Sequence, residues 1–357
     1  AMDIVHTPEA LQRYMKEAVS VSNESPVLLD RFLDDAVEMD VDAVADGHEV
    51  QVAGVMEHIE QAGVHSGDSA CSLPPYSLPA VVVEEIKRQT KLMAEALNVV
   101  GLMNVQFAVQ HAHSENPVIY VLEVNPRASR TVPFVSKATG NPVAAIAARV
   151  MAGQTLAEQG VNLEVTPRYV SVKEAVFPFS KFLGVDPVLG PEMRSTGEVM
   201  GVGRDFGEAL FKSQLAAGSR LPERGSVFIS VRECDKPKAV VCAHQLHQAG
   251  FPLVATAGTA HVIQQAGIPC RTVGRIGDAA GDVIGMMEAG DITLVIMSVA
   301  EHEGELNDAR AIRKLALAKQ ITYYTTMAGG LAASEGIRHM RSVQVYDLQG
   351  LHAGTLP

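Results

Sequence analysis

The length and composition of the chain indicate a folded, acidic protein of two domains. Its 357 residues exceed one ordinary hydrophobic core, and 47% hydrophobic with 20% charged residues is a globular composition. The 29 Lys and Arg against 41 Asp and Glu give a net charge of −12, which argues against a general nucleic-acid binder but allows a local basic pocket for a phosphate-bearing small molecule. The 4 cysteines are scattered, and neither a long apolar run nor a leader pattern is present, so we expect a cytoplasmic protein without membrane contacts.

The first part of the chain has the pattern of antiparallel strands with helices. Apolar spacing predicts helices at 8–19, 81–97 and 141–151, and strands at 27–32, 37–44, 50–56, 103–109 and 118–124. Asp46 and Gly47 lie between two alternating strands, which is a strong hairpin signal. Residues 166–201 are rich in Pro and Gly and are expected to wrap in extended form. The glycines of 201–207 have the wrong spacing for a dinucleotide-binding loop, so a turn is predicted there.

The pattern changes after residues 216–225, which are the best linker candidate. Short apolar strands then alternate with helices, as in a doubly wound parallel sheet. The predicted strands cover 227–231, 253–255, 293–297 and 321–325, and the helices cover 237–248 and 308–319. We therefore expect an α+β domain at 1–215, a linker at 216–225 and an α/β domain at 226–357.

A first group of polar residues lies on two neighbouring predicted strands. Residues two apart share one face of a strand, so Glu123 and Asn125 project together, with Gln106 on the adjacent strand. One carboxylate and two amide oxygens suit Mg²⁺ held together with nucleotide phosphates. Arg127 and Arg130 follow directly and are suited to neutralise phosphoryl charge. The alternative is a Glu–Asn pair that caps the turn after the strand.

Two further groups are candidate sites. Residues 57–69 form a polar loop in which His65 lies beside Ser66 and Gly67, an arrangement suited to phosphate; the alternative is a solvated loop without a role. In the second domain, residues 256–259 follow a strand and begin a helix, and Lys236 is expected at the same sheet edge. These residues predict an anion site, with ordinary helix capping by threonine as the alternative.

Longer segments resemble one family, the large subunit of carbamoyl phosphate synthetase. They are LLDRFLDDAVEMDVDAV, VMEHIEQAGVHSGDSACSLP, GLMNVQFAV, EVNPRASRTVPFVSKATG, ARVMAGQTLAEQG and VDPVLGPEMRSTGEVMG, and the likeness runs through nearly the whole chain. The resemblance implies that 1–215 is the later part of the second ATP-grasp unit, which phosphorylates carbamate to carbamoyl phosphate for pyrimidine and arginine synthesis. It implies that 226–357 is an allosteric domain of the methylglyoxal-synthase-like fold.

The resemblance also implies roles for individual residues. The magnesium or manganese ligands would be Gln106, Glu123 and Asn125, the catalytic residues Glu123, Arg127 and Arg130, and the ATP contacts Glu38, His65, Gln106 and Glu123. A potassium site would comprise Glu38, His58, Glu60, Gln61, Val64 and Ser66. An ornithine effector would bind at Glu60, Asp68, Glu174 and Thr325. A nucleotide monophosphate would bind at Ser230, Lys236, Thr256, Gly258, Thr259 and Arg275.

The implied partners are the N-terminal remainder of the large subunit, the small glutaminase subunit and these effectors, within an oligomer. The first ATP-grasp unit, the oligomerisation region and the front of the second unit are absent from the sequence, so the chain alone is expected to be inactive. At the effector pocket, Arg275 stands where Lys is usual, and Met297, Ser298 and Val299 replace a polar run. These departures argue against sharp control by pyrimidine nucleotides.

Two alternatives to a catalytic fragment remain open on the sequence. In the first, the chain is a regulatory module that catalyses no reaction. In the second, its C-terminal domain is a free methylglyoxal synthase. The second alternative is disfavoured because the run that would carry that enzyme's catalytic Asp is replaced by MSVAEHEG.

Overall fold

The protein contains two β-sheets with helices against them. The computed structural model describes residues 4–5, 7–21, 27–33, 36–181, 186–274, 276, 282–298, 303–340 and 343–354. Within these residues the first sheet, here called the large sheet, is entirely antiparallel in the order β5-β4-β1-β2-β3-β6-β7. The second, here called the small sheet, is parallel in the order β10-β9-β8-β11-β12. The α+β and doubly wound α/β expectations are thereby confirmed.

The elements have the following bounds. The large sheet consists of β1 (Val37–Asp46), β2 (Val50–His58), β3 (Cys71–Leu73), β4 (Val100–Gln110), β5 (Val118–Asn125), β6 (Val170–Val176) and β7 (Gly197–Gly203). Its helices are α1 (Pro8–Val21), α2 (Ala80–Ala96), α3 (Val132–Thr139), α4 (Val143–Met151), α5 (Leu156–Gln159) and α6 (Phe206–Ala216). The small sheet consists of β8 (Ser226–Ser230), β9 (Leu253–Thr256), β10 (Arg271–Val273), β11 (Ile292–Met297) and β12 (Thr322–Tyr324). Its helices are α7 (Lys236–Gln248), α8 (Ala257–Gln265), α9 (Val283–Ala289), α10 (Glu303–Lys319), α11 (Met327–His339) and α12 (Leu348–His352).

The predicted hairpin forms between β1 and β2. Asp46 Oδ1 accepts the backbone N–H groups of His48 at 2.9 Å and Glu49 at 2.7 Å, and Gly47 has a φ of 86°, which glycine adopts without strain. The apolar residues of β1 pack with α2 in one core cluster, whereas α3 and α4 belong to a second cluster with β2 and β3. The large sheet is thus covered on both faces.

Three local predictions for the first domain are wrong. Residues 27–33 form no strand, and Leu28 is 82% exposed. The segment 166–201 contains β6 and the first part of β7, which extend the large sheet rather than wrap around it. The turn expected at 201–207 is a junction: β7 runs to Gly203, and α6 begins at Phe206, where the Asp205 side chain accepts the N–H of Glu208 at 2.9 Å.

The two sheets meet through helices and side chains. A core cluster contains Ile59 and Val172 of the first part of the chain together with Ala332 of α11. The Tyr324 hydroxyl also donates to Gln214 Oε1 at 2.6 Å. The predicted linker at 216–225 begins at the last residue of α6 and ends directly before β8, and the division into two domains there stays a prediction. Among the described helices, none is long and apolar enough to cross a membrane.

Candidate nucleotide and effector sites

Polar side chains form two rows across the antiparallel strands β5, β4 and β1. Glu123 faces Gln106, which faces Asp40; Asn125 faces Asn104, which faces Asp42. The Asn125 amide donates to Glu123 Oε1 at 2.8 Å, and the Gln106 amide donates to Glu38 Oε2 at 3.2 Å. The three predicted magnesium or manganese ligands therefore lie on one face of the sheet.

The predicted divalent-metal residues fit such an ion by their chemistry. An amide that donates through its nitrogen keeps its oxygen as an acceptor, so Gln106 and Asn125 both retain an oxygen for a cation. Glu123 is exposed and supplies the charge. In the part of the chain that the structure describes, no three His, Cys, Asp or Glu side chains come together as a metal centre. The predicted set contains one carboxylate and therefore relies on a nucleotide for further ligands.

A buried histidine lies behind these residues. His58 Nε2 is 2.9 Å from Asp40 Oδ2, and His58 Nδ1 is 3.3 Å from Glu38 Oε2. Burial opposes the charged imidazole, but the hydrogen bonds and charges of Asp40 and Glu38 outweigh it and raise the pKa of His58 to about 9. The two buried carboxylates thus favour the charged form of the ring. Lys173, 1% exposed, donates to the Ser66 carbonyl at 3.4 Å.

The predicted potassium residues flank this histidine. Glu38 Oε1 accepts the Gly63 N–H at 3.2 Å, Glu60 Oε2 accepts the Ala70 N–H at 2.8 Å, and Gln61 Oε1 accepts Arg232 Nη2 at 3.4 Å. The carboxylate and amide oxygens, with the backbone oxygens of Val64 and Ser66, are of the type potassium prefers. The potassium site, with His58 among its residues, stays a prediction.

The predicted phosphate-side residues lie together in part. The Arg130 guanidinium contacts Met193 Sδ, and a Cβ on Gly67 would lie 3.2 Å from both Arg130 Nη1 and His65 Nδ1. His65 and Arg130 are therefore close neighbours across Gly67. Arg127 and Arg130 are both exposed, and the Arg127 side chain donates a hydrogen bond to the Ala128 carbonyl at 3.1 Å.

Among the four predicted ornithine residues, Asp68 has its hydrogen bonds satisfied within the protein and Glu174 does not. Asp68 is buried, and its carboxylate accepts the backbone N–H groups of Arg194 at 2.7 Å and Ser195 at 2.8 Å, which indicates a structural role. Glu174 Oε2 is buried without a hydrogen-bond partner. Burial and the charge of nearby Glu60 raise the pKa of Glu174 to about 8. Thr325 follows β12 directly.

The buried charge around Glu174 extends to the second domain. Burial, followed by the charges of Glu174 and Glu60, raises the pKa of the Tyr324 phenol. Two carboxyl groups, Glu60 and Glu174, therefore lie close to the end of β12, with Lys173 as a neighbouring cation and with no hydrogen-bond partner for Glu174 Oε2. This arrangement is suited to an ammonium group.

The predicted nucleotide-monophosphate residues gather at the carboxyl edge of the small sheet. Ser230 Oγ lies 3.1 Å from Thr256 Oγ1, and Thr259 Oγ1 accepts the Val231 N–H at 3.2 Å. A Cβ on Gly258 would lie 3.5 Å from Lys236 Nζ, so the ammonium stands over the start of α8. Lys236 is paired with Glu233, which an incoming anion has to displace. Arg275 lies outside the described residues.

Sequence reasoning missed several buried polar residues. Asp40 and Asp42 are 4% and 1% exposed, and Asn104 is 5% exposed. Glu38, Asp40 and Asp42 are spaced two residues apart along β1, so their side chains share one face of the strand. The alternation that predicted β1 therefore also predicted that these three carboxylates lie together. Lys173 carried no comparable signal, because β6 was not predicted.

Comparisons with known proteins assign the two parts of the chain to known domain families. Residues 1–159 match the family described as "Carbamoyl-phosphate synthase L chain, ATP binding domain", and residues 238–325 match the "MGS-like domain". These matches, with the two sheets, define a domain of the ATP-binding family followed by an MGS-like domain. Among solved structures, the biotin carboxylase domain of a single-chain bacterial carboxylase is similar at 17% identity and a TM-score of 0.43, over 60% of this chain and 58% of that chain.

Curated relatives cover nearly the whole chain. The carbamoyl phosphate synthase large chain of Ralstonia nicotianae is 64% identical over 353 residues, which is 99% of this chain and 33% of that protein. The large chains of Pasteurella multocida and Pseudomonas aeruginosa are 55% and 56% identical, each over 99% of this chain and 32% of the relative. The chain belongs to the carbamoyl phosphate synthase large-chain family and spans about a third of the length of these relatives.

Proposed function

We propose that this chain is the C-terminal third of a carbamoyl phosphate synthase large subunit and takes part in the phosphorylation of carbamate by ATP. It carries one wall of the ATP-grasp site and an effector-binding domain. Its partners are the rest of the large subunit and the small glutaminase subunit. The observation that carries the proposal is the polar face of β1, β4 and β5, where Glu123, Gln106 and Asn125 present oxygens beside the buried Glu38 and His58.

The residues on and beside this face would have separate roles in binding the metal ion and the phosphates. Gln106, Glu123 and Asn125 would hold Mg²⁺ or Mn²⁺, and the ion supplies positive charge to the nucleotide phosphates when it is bound. His65 and Arg130 lie on either side of Gly67 and are placed to contact phosphate oxygens. Glu38 accepts from Gln106 and so fixes the orientation of that amide.

The effect of Glu123→Gln tests the catalytic part of the proposal. In the complete synthetase, this change should lower the rate of ATP synthesis from ADP and carbamoyl phosphate at least about a hundredfold, because the charged metal ligand is lost. The matched control is Glu115→Gln in the exposed turn between β4 and β5, which should leave the rate unchanged. A near-normal rate in Glu123→Gln contradicts the proposed role.

The cluster of Glu60 and Glu174 supports an amino-acid effector with a side-chain ammonium, such as ornithine. An ammonium group would supply the hydrogen-bond donor that Glu174 Oε2, buried without a partner among the described residues, lacks. The edge formed by Ser230, Thr256 and Thr259 supports a phosphate-bearing nucleotide effector, with Lys236 as the cation.

Glu174→Gln tests the amino-acid site. Ornithine binding, measured by calorimetry, should weaken at least about tenfold, because a glutamine side chain cannot ionise to pair with the ammonium group as the Glu174 carboxyl can. Glu288→Gln on the exposed face of α9 is the control with the same chemical change. Equal ornithine affinity in the native protein and both variants would remove Glu174 from the site.

A further inference from the structure

A buried ion pair joins the second domain to the first. Arg313 of α10 donates to Asp186 through Nε at 2.9 Å and through Nη2 at 2.8 Å. The Arg313 side chain is 4% exposed and the Asp186 side chain 22%. Burial opposes ionisation of Asp186, but the bonds and charge of Arg313 prevail and lower its pKa. A bidentate pair of this kind fixes both position and orientation.

The chain that follows Asp186 returns to the loop after β2. Arg194 Nη1 donates to the Asp186 carbonyl at 3.0 Å, so the two ends of residues 186–195 are tied together. The N–H groups of Arg194 and Ser195 hold the carboxylate of Asp68, and Ser195 Oγ donates to the Gly67 carbonyl at 2.9 Å.

The middle of the same segment contacts two of the three predicted phosphate residues, His65 and Arg130. The His65 N–H donates to the Gly190 carbonyl at 2.8 Å. Met193 Sδ contacts the guanidinium of Arg130. Residues 186–195 therefore contact the loop at His65, Gly67 and Asp68, and they also contact Arg130.

We propose that residues 186–195 are a strap through which α10 of the second domain holds the His65 loop in place, with Asp186 as the positioning residue at its anchored end. Many of the loop's other hydrogen bonds are local, such as those from Gly67 N–H to His65 Nδ1 and from Asp68 N–H to the His65 carbonyl. Lys173 adds a longer contact to Ser66 at 3.4 Å. The consequence for nucleotide binding rests on the proposed function, whereas the anchoring does not.

The anchored helix also reaches the nucleotide-effector edge. Ala309, Ile312 and Ala316 of α10 pack in one core cluster with Met297, at the end of β11. Next to Met297, Ser298 Oγ accepts the Arg232 N–H at 3.0 Å, directly after β8. A displacement at this edge would therefore shift α10 and, through the strap, the position of His65 and Arg130.

Hydrogen exchange on the full 357-residue chain tests the strap without requiring activity. In Asp186→Asn, the amides of His65, Arg194 and Ser195 should exchange at least about tenfold faster, while the amides of β11 keep their protection. Arg310→Gln is the matched control, because Arg310 lies on the same helix 3.7 Å from Asp186 with a side chain that is 57% exposed. It should leave all of these rates unchanged.

Arg313→Lys is the second variant, because it keeps the positive charge but loses the bidentate hydrogen bonds to Asp186. It should accelerate exchange at the same three amides. Unchanged exchange at His65, Arg194 and Ser195 in both variants would overturn the proposal. Faster exchange spread evenly over both sheets would also overturn it, because the pair would then support the whole fold rather than the loop. Neither outcome depends on whether the protein phosphorylates carbamate.

Discussion

Asp42 shows how a single buried carboxylate organises the phosphate side of the site. It accepts hydrogen bonds from Ser129 Oγ at 2.7 Å, Thr131 Oγ1 at 2.6 Å and the Asn104 amide at 2.9 Å. The first two donors flank Arg130, so Asp42 fixes the backbone that presents this guanidinium. Burial nevertheless raises the pKa of Asp42 to about 6, because the three donors do not fully replace water.

The raised pKa of Asp42 gives a pH dependence of stability with a definite sign. Between about pH 4 and about pH 6 the folded chain keeps a proton on Asp42 that the unfolded chain has released. The contribution of this group to the free energy of unfolding should therefore fall as pH rises through this window, by at most about 3 kcal/mol. Asp42→Asn lacks this titration.

Urea unfolding of the native chain and Asp42→Asn at several pH values measures the effect. The difference in free energy of unfolding between the two proteins should change between about pH 4 and about pH 6 and stay constant above it. Asp291→Asn, at an exposed position, is the control and should show a constant difference. A difference for Asp42→Asn that does not vary with pH would exclude Asp42 as the titrating group.

At the scale of elements, the packing of α6 on β7 depends on the absence of a side chain. A Cβ on Gly201 would lie 2.1 Å from the carbonyl oxygen of Ala209 and 2.3 Å from the backbone nitrogen of Ser213. Both are backbone atoms of α6 and cannot move without displacing the helix. Because α6 also packs near α11 of the second domain, the glycine positions one part of the interface between the sheets.

Gly201→Ala should therefore destabilise the chain by about 3 kcal/mol or more, as an overpacked contact with backbone does. Gly197→Ala in the same strand is the matched control, since a Cβ there meets nothing within 4 Å. It should change the free energy of unfolding by less than about 0.5 kcal/mol. Urea unfolding of the two variants checks this, and equal stabilities would show that α6 shifts freely.

At the scale of the whole molecule, the described residues would provide one side of the proposed nucleotide site. The polar face of β1, β4 and β5 carries the predicted metal and phosphate contacts, and the curated relatives are about three times as long as this chain. Phosphoryl transfer requires that the nucleotide and the acceptor are held in a fixed orientation. We expect the remaining parts of the large subunit to complete that enclosure.

The purified chain, incubated with MgATP, bicarbonate and ammonia, should therefore yield no carbamoyl phosphate above the uncatalysed background. The product can be trapped as citrulline with an added carbamoyltransferase and ornithine. The complete synthetase under the same conditions is the positive control. Sustained synthesis by the chain alone would show that these residues enclose the nucleotide without further subdomains.

Much of the architecture was predictable because the signals are local. Alternating residues and the Asp46–Gly47 turn predicted the β1–β2 hairpin, and the alternation of short strands and helices after residue 225 predicted the parallel sheet. The strand expected at 27–32 did not form, although four of its six residues are apolar. A strand needs a neighbour to accept its hydrogen bonds, and no such partner exists for these residues among the described strands.

The sequence by itself determined the hairpin, the alternation of strands and helices after residue 225 and, through long matching segments, the family and the residue types of the candidate site. Tertiary structure decided which of those residues meet. It joined Asp186 to Arg313, placed His65 beside Arg130 and left Glu174 without a hydrogen-bond partner at Oε2. Propensity and periodicity act over a few residues, whereas these contacts join positions far apart in sequence. Their strength depends on burial, which exists only in the folded chain.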